Sequence, residues 1–180
     1  MSGPQRIVGR VEQVWLYPVK SLAGIPVTTA GIEAGGLAGD RAWTVVDEDG
    51  QPVRAKDAPQ LAALSPDGID AAALSAAVGR SVRLDSLPPS PGTAPVHLVS
   101  RQAIDRAALG EVPEGCSADD PRANLVVDLD GGDDERGWVG RVVRVGEAVL
   151  EIIRTPRHCL GVYAQVRSAG AVTVGDAVLI

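Results

Sequence analysis

Turn-forming residues interrupt this chain so often that its fold must be assembled from short pieces. With 21 Gly and 13 Pro among 180 residues, the sequence favours short strands over long helices. The apolar runs between those breaks supply 45% hydrophobic residues, enough to bury a sizeable core. Aromatic residues make up only 3% and there is no Phe, so the core must be built from Val, Leu, Ile and Ala.

Reading along the chain, residues 7–17 form a first strand that Pro18 ends, because proline cannot donate to a ladder. Residues 27–32 form a second. Gly35-Gly-Leu-Ala-Gly39 is a flexible turn, and Asp47-Glu-Asp-Gly50 is a hairpin signal between strands at 41–46 and 51–55. Residues 61–64 add a strand, and the Ala-rich stretch 70–78 forms a helix closed by Gly79. A strand at 82–84 precedes the only linker-like segment, Ser86-Leu-Pro-Pro-Ser-Pro-Gly-Thr-Ala-Pro95. Beyond it, a strand at 96–99 feeds a helix at 101–109 with Ser100 as N-cap. Residues 111–121 form an acidic loop suited to a mobile lid. Strands follow at 124–129, 141–145 and 148–153, and 172–174 and 177–180 end the chain as a pair. The expected architecture is mainly β (α+β), barrel-like, with two or three short helices.

The net charge of −6 gives no general attraction to nucleic acid or to an anionic membrane. No window approaches the ~18 apolar residues of a membrane span, and residues 1–10 carry no apolar leader. A soluble, cytoplasmic protein is expected. The two cysteines, Cys116 and Cys159, fit neither a disulfide framework nor a zinc site.

Cys159 is the residue with most chemical promise, set in Arg154-Thr-Pro-Arg-His-Cys-Leu-Gly-Val-Tyr163. Arg154, Arg157 and His158 lie within five residues of it, and cationic neighbours lower a thiol's pKa. A thiolate in a basic, partly open loop is both a nucleophile and a soft metal ligand. His158 could tune the thiol or donate to it. Against this stands the base rate for a small buried hydrophobe, since free Cys is often buried. Cys116, among carboxylates, reads as incidental, and His97, alternating with apolar residues, reads as structural.

Four other segments place polar groups at strand ends. Lys20-Ser21 can clamp a phosphate, although an isolated surface Lys is usually just solvated. Arg41 offers a planar fork, or a mere surface pair with Asp40. Ser100-Arg101 lies at a helix N-terminus, where Ser100 is explained by capping alone. Arg122 can grip an anion, and Asn124 can donate and accept at once, as a heterocycle edge requires.

Two sets of motifs resemble a known family. Val14-Trp-Leu-Tyr-Pro-Val-Lys-Ser21 with Gly39-Asp-Arg-Ala-Trp43 is similar to the N-terminal β-barrel module that precedes MOSC domains (molybdenum cofactor sulfurase C-terminal domains). Pro121-Arg-Ala-Asn-Leu-Val-Val127, Trp138-Val-Gly-Arg141, Arg157-His-Cys159, Gly161-Val-Tyr163 and Val174-Gly-Asp-Ala-Val178 resemble the MOSC domain itself. The resemblance implies an N-terminal module over 1–85 and a MOSC domain over 96–180, packed as one compact unit. It implies binding of the molybdenum cofactor (Mo-molybdopterin), with Cys159 on the position that ligates the metal in amidoxime-reducing relatives. Lys20, Ser21 and Arg41 match phosphate-holding positions; Arg122 and Asn124 match a second cofactor motif, and Ser100 a hydroxyl position. Three departures stand out: His158 where an Arg usually precedes the cysteine, Arg101 in place of a second hydroxyl, and Ala123 in place of a Pro.

By the same resemblance, the protein is an oxidoreductase reducing a small N-oxygenated (N–O) substrate, with electrons from a separate flavin, haem or ferredoxin partner. Alternative readings are a sulfur carrier using a Cys159 persulfide and a non-catalytic carrier of the cofactor.

Overall fold

The computed structural model of the chain describes residues 5–180. In chain order they form β1 (Ile7–Leu16), β2 (Ile25–Val27), β3 (Thr29–Glu33), β4 (Gly36–Leu37) and β5 (Thr44–Asp47). A 3-10 turn (Pro59–Ala63), α1 (Ala71–Val78) and β6 (Val82–Asp85) follow, then β7 (Val96–Ser100), α2 (Arg101–Ala108) and β8 (Leu125–Leu129). A second 3-10 turn (Glu135–Trp138) leads to β9 (Val142–Val145), β10 (Ala148–Arg154), β11 (Val162–Ser168), β12 (Gly170–Thr173) and β13 (Ala177–Leu179). The mainly β, barrel-like expectation with short helices holds. No helix among these residues is long and apolar enough to cross a membrane.

The chain divides into two compact units that interleave in sequence. The first comprises residues 1–15, 26–38 and 94–180. Its centre is a closed barrel in which β13, β9, β10, β11, β7, β8 and β1 pair in that order and β1 pairs back onto β13. Closure removes the exposed sheet edges that would otherwise template pairing with other chains. Val8, Val11 and Val14 of β1 are buried, as are Leu98, Leu125, Val127, Leu150, Ile152 and Val162 from the other strands. Branched aliphatic side chains make up most of these buried strand residues, as the absence of Phe requires. The β7–β8 pairing is parallel, so the chain must cross over between them, and α2 is that crossover. Its face packs Ala103 and Ala107 with Val99, Val126 and Leu160.

The second unit comprises residues 16–25 and 39–93. The β5–β6 ribbon, α1 and the first 3-10 turn enclose their own core of Val19, Leu22, Val45, Leu61, Leu74 and Val82. Asp70 caps α1 by accepting from Ala73 N at 2.8 Å, and Gly79 closes it at φ 81°.

Several local expectations are corrected. Residues 61–63 fall in a 3-10 turn that buries Leu61 and that Leu64 caps, so 61–64 is not a strand. β5 takes β6 as its ladder partner, leaving the 51–55 segment a single bridge between Val46 and Pro52. β12 pairs with β3 while β13 pairs with β9 and β1, so the last two strands are not partners. β11 emerges where no strand is expected, and the Gly35–Gly39 turn contains β4.

Gly161 opens β11 at φ 83°, and a methyl there would collide with the Leu98 carbonyl oxygen and sit 3.1 Å from His97 Nε2. Gly131 has a similar φ of 63° but open space around it. Gly161→Ala should therefore cost clearly more than Gly131→Ala, which carries only the backbone strain of about 1 kcal/mol or slightly more. Urea denaturation of the two variants measures the difference, and equal losses would contradict this packing.

Candidate functional site

In the second unit, two segments are zipped side by side. Arg41 N donates to Tyr17 O (2.7 Å), Trp43 N to Pro18 O (3.0 Å), and Lys20 N to Trp43 O (2.9 Å), with a parallel bridge between Val19 and Trp43. This ladder brings Lys20, Ser21 and Arg41 onto neighbouring segments, although they are twenty residues apart in sequence. Arg41 is well fixed: Asp40 pairs with its guanidinium, which also lies 5.2 Å from the centre of the Tyr17 ring. Asp40 is itself anchored by the Tyr17 N–H at 2.8 Å. Ser21 Oγ accepts from Ala55 N at 3.1 Å. Lys20 and Ser21 line a cleft of ≈ 270 Å³ together with Thr44, Arg54 and Ser90. Arg54 was invisible as a site residue in the sequence because nothing local distinguishes it from a solvated loop cation.

In the first unit, the turn between β10 and β11 carries Cys159. Its side chain is half-buried, not sealed in hydrocarbon. Burial is the largest influence on the thiol and raises its pKa; a hydrogen bond with Tyr163 pulls it down, Cys116 pushes it up, and Arg136 pulls it down. The net direction is upward. The expected lowering by Arg154, Arg157 and His158 is thus corrected, because those groups turn elsewhere. Arg154 stacks on the Tyr163 ring at 4.6 Å, and His158 Nδ1 donates to Gly115 O at 3.3 Å. Arg157 is exposed. Tyr163 also packs edge-on against His97 (4.8 Å between ring centres), whose Nε2 lies 2.8 Å from Leu160 O. His97 is the structural residue its alternation indicates. Tyr163 and Arg136 are the site residues that sequence reading missed. Gly161 reverses the chain between Cys159 and Tyr163, and Arg136 donates to Gly161 O at 3.3 Å.

The remaining candidates lie in the same unit. Ser100 is fully buried, and its Oγ accepts from Ala103 N at 3.0 Å, the expected cap. Its N–H donates to Oε1 of the fully buried Glu135 at 3.0 Å. Arg101 turns to Glu12 of β1, with Nε donating to Oε2 at 2.7 Å, a bond that raises its pKa. Asn124 is also buried: Oδ1 accepts from His97 N at 3.2 Å, and Nδ2 donates toward Trp15 O at 3.4 Å. Its amide therefore ties main-chain groups of β1 and β7 together. Arg122 N donates to Asp120 Oδ1 at 2.9 Å, which shapes the turn before β8.

Backbone strain picks out the same residues. Among the described residues, Ser21 (φ 75°), Arg41 (φ 50°) and Arg122 (φ 55°) are the non-glycine residues with positive φ. Such conformations are uncommon outside glycine, and they cluster where function requires a side chain to be aimed. All three are among the cofactor-binding candidates of the sequence.

Comparison with known proteins adds three findings. The family described as the MOSC N-terminal beta barrel domain matches residues 8–107. The chain is similar to mitochondrial amidoxime reducing component 2 of Homo sapiens, 45% identical over 63 residues that cover 32% of this chain and 18% of that protein. It is also similar to molybdenum cofactor sulfurase of Anopheles gambiae, 41% identical over 63 residues, 34% of this chain and 8% of that protein. The matched stretch thus spans less than a fifth of these curated relatives. Among solved structures, the YUAD protein of Bacillus subtilis superimposes with a TM-score of 0.57 at 15% identity over 98% of this chain and 96% of that one, a likeness of fold alone.

The raised thiol pKa has a measurable consequence. Peptide-resolved alkylation across pH should place the Cys159 midpoint above that of a free cysteine, with Arg136→Ala moving it further up. Because the folded chain favours the protonated thiol, its contribution to stability is present below the ordinary thiol range. It is lost as pH rises through the raised value. A midpoint below free cysteine would contradict the burial argument.

Proposed function

This chain belongs to the family of the MOSC N-terminal β-barrel domain, and from that premise we propose that it binds the molybdenum cofactor and reduces N-oxygenated small molecules, with Cys159 as the ligand to the metal. The relatives' names supply the reaction class, amidoxime reduction and molybdenum cofactor sulfuration. The observation that carries the reading is the strained, left-handed backbone at Ser21, Arg41 and Arg122. Strain of this kind persists only where surrounding structure holds it, and here it falls on three cations or hydroxyls of the candidate set.

Each unit carries donors of the kind such a group needs. Lys20 provides a compact positive charge and Ser21 a hydroxyl whose proton is left to donate while its oxygen accepts from Ala55. Arg41, held by Asp40 and Tyr17, presents a charge already oriented, so little side-chain entropy is lost on engaging an anion. Ser100, buried with its Oγ bonded to Ala103 N and its N–H held by Glu135, fixes the start of α2. When bound, the cofactor supplies the redox chemistry at its metal. Cys159 stays protonated until then and must release its proton to solvent on ligating, so loading improves as pH rises. Tyr163 and Arg136 both favour the thiolate and ease that release. Electrons come from a separate donor protein carrying flavin, haem or a ferredoxin-type cluster.

A second reading, sulfur transfer through a Cys159 persulfide, is favoured by the second thiol nearby: Cys116 Sγ lies 3.2 Å from the Cys159 carbonyl oxygen. The two readings separate on purified protein from a cofactor-producing host. Oxidoreduction predicts molybdenum and released pterin near one per chain and turnover of an N-hydroxylated compound with an artificial electron donor. Cys159→Ala should keep the fold and abolish turnover, and Lys20→Ala should weaken cofactor retention by about 10–100-fold, the worth of one charge-assisted hydrogen bond. A fully active Cys159→Ala variant sinks the oxidoreductase reading; cofactor-free protein bearing labelled sulfur on Cys159 transfers support to the second.

A further inference from the structure

The 111–121 loop is fastened to the turn that carries Cys159 along a short, opposed stretch of chain. Ser117 N donates to His158 O at 3.0 Å, and Cys116 Sγ donates to Cys159 O at 3.2 Å. The first is a main-chain hydrogen bond and the second a side-chain one, and together they set residues 116–117 against residues 158–159. His158 Nδ1 bonds back to Gly115 O at 3.3 Å, and a Cβ on Gly115 would lie 3.4 Å from Arg157 O. The Cys116 sulfur therefore already touches the main chain of the residue whose side chain it would have to join. Both cysteines are free and half-buried, and both belong to the first unit. Cys116 packs its side chain against the cluster under α2 that contains Leu160, the residue next to Cys159. The two thiols also influence one another electrostatically. No regular secondary structure locks residues 111–121, so a change of rotamer at one or both cysteines can close the remaining gap.

We propose that Cys116 and Cys159 form a redox-active dithiol, closing to an intramolecular disulfide when a small disulfide oxidant such as glutathione disulfide is present. One protein thiol loses its proton to solvent and attacks the oxidant, forming a mixed disulfide and expelling one glutathione. The other loses its proton, attacks the protein sulfur of that mixed disulfide and expels the second glutathione. The protein pair is oxidised by two electrons, and the oxidant's S–S bond is reduced to two thiols. The second step is favoured because the contacts between the two segments hold its reactants together, giving a high effective concentration. The disulfide chemistry stands on geometry alone; its consequence, that the sulfur of Cys159 is withdrawn from the metal, rests on the reading under Proposed function.

The test uses the full chain, produced both in a host lacking molybdenum cofactor synthesis and in one that makes it. Each preparation is incubated with glutathione disulfide and digested without reduction, and peptide masses are read. The expected result for the cofactor-free chain is a linked peptide joining Cys116 to Cys159, formed at a rate independent of protein concentration and lost on reduction. Cys116→Ser should instead accumulate a persistent glutathione adduct on Cys159, and Cys159→Ser one on Cys116. A wild-type chain that keeps stable adducts, links only between molecules, or leaves both thiols free overturns the proposal. Should Cys116→Ser fold poorly, Cys116→Ala gives the same readout. Slower linking in the cofactor-loaded preparation is expected; equal linking in both would sink metal ligation by Cys159 while leaving the dithiol intact.

Discussion

Closure of the barrel by β1 is the constraint on which the first unit depends. β1 hydrogen-bonds to β8 on one side and β13 on the other, and without it the ring of seven strands would be an open sheet with two unpaired edges. Its fit is demanding. Gly9 passes so close to the Asp128 carbonyl oxygen that any side chain would collide, and the register slips between Val11 and Gln13 to keep Val11 and Val14 buried. Once the ring is closed, β7 and β8 lie parallel, α2 must cross between them, and Ser100 falls at the junction. β10 and β11 are likewise forced into pairing, so the seven residues between Arg154 and Val162 must turn within a short span. Cys159 is displayed by that turn.

Electrostatic preorganisation in this protein is achieved largely by giving cations fixed partners. Arg41 is held by Asp40 and the Tyr17 ring, Arg154 by Tyr163, and Arg101 by Glu12. Each pair is partly exposed and adds little to stability. Their effect is to decide direction: of the arginines near Cys159 in sequence, none acts on the thiol as strongly as Tyr163, and Arg136, far off in sequence, does act. Proximity along the chain was the wrong measure of field at the sulfur. Burial therefore disfavours the thiolate of Cys159 in the folded chain.

Legibility followed the range of the interactions concerned. Both helices and the Ser100 and Gly79 caps were readable, because those caps act within four residues of the groups they satisfy; Asp70, read as the first helical residue, is instead the cap of α1. Most strands were readable from β-branched runs ending at Pro or Gly. β11 was not, since Val162-Tyr-Ala-Gln-Val-Arg-Ser168 has weak apolar alternation and becomes a strand through its pairing with β7 and β10. The final two strands were found but their partners mistaken, because a tight turn at Gly175-Asp176 suggests a hairpin that barrel closure overrides. At the site, chemical type was readable for Ser21, Arg41, Arg122 and Cys159, whereas the engagement of Asn124 by main-chain groups and of Arg101 by Glu12 was not.

By itself, the sequence determined a β-rich chain of short elements with an aliphatic core, the caps of its helices, and the inventory of cations, hydroxyls and thiols available for chemistry. Those properties depend on composition and on neighbours within a turn. Only the tertiary structure decided which strands pair, which arginine reaches which carboxylate, that the Cys159 thiol is pushed up rather than down, and that Cys116 Sγ meets the Cys159 carbonyl. Burial and Coulomb interaction depend on distance through space, and a closed barrel brings together residues more than forty positions apart.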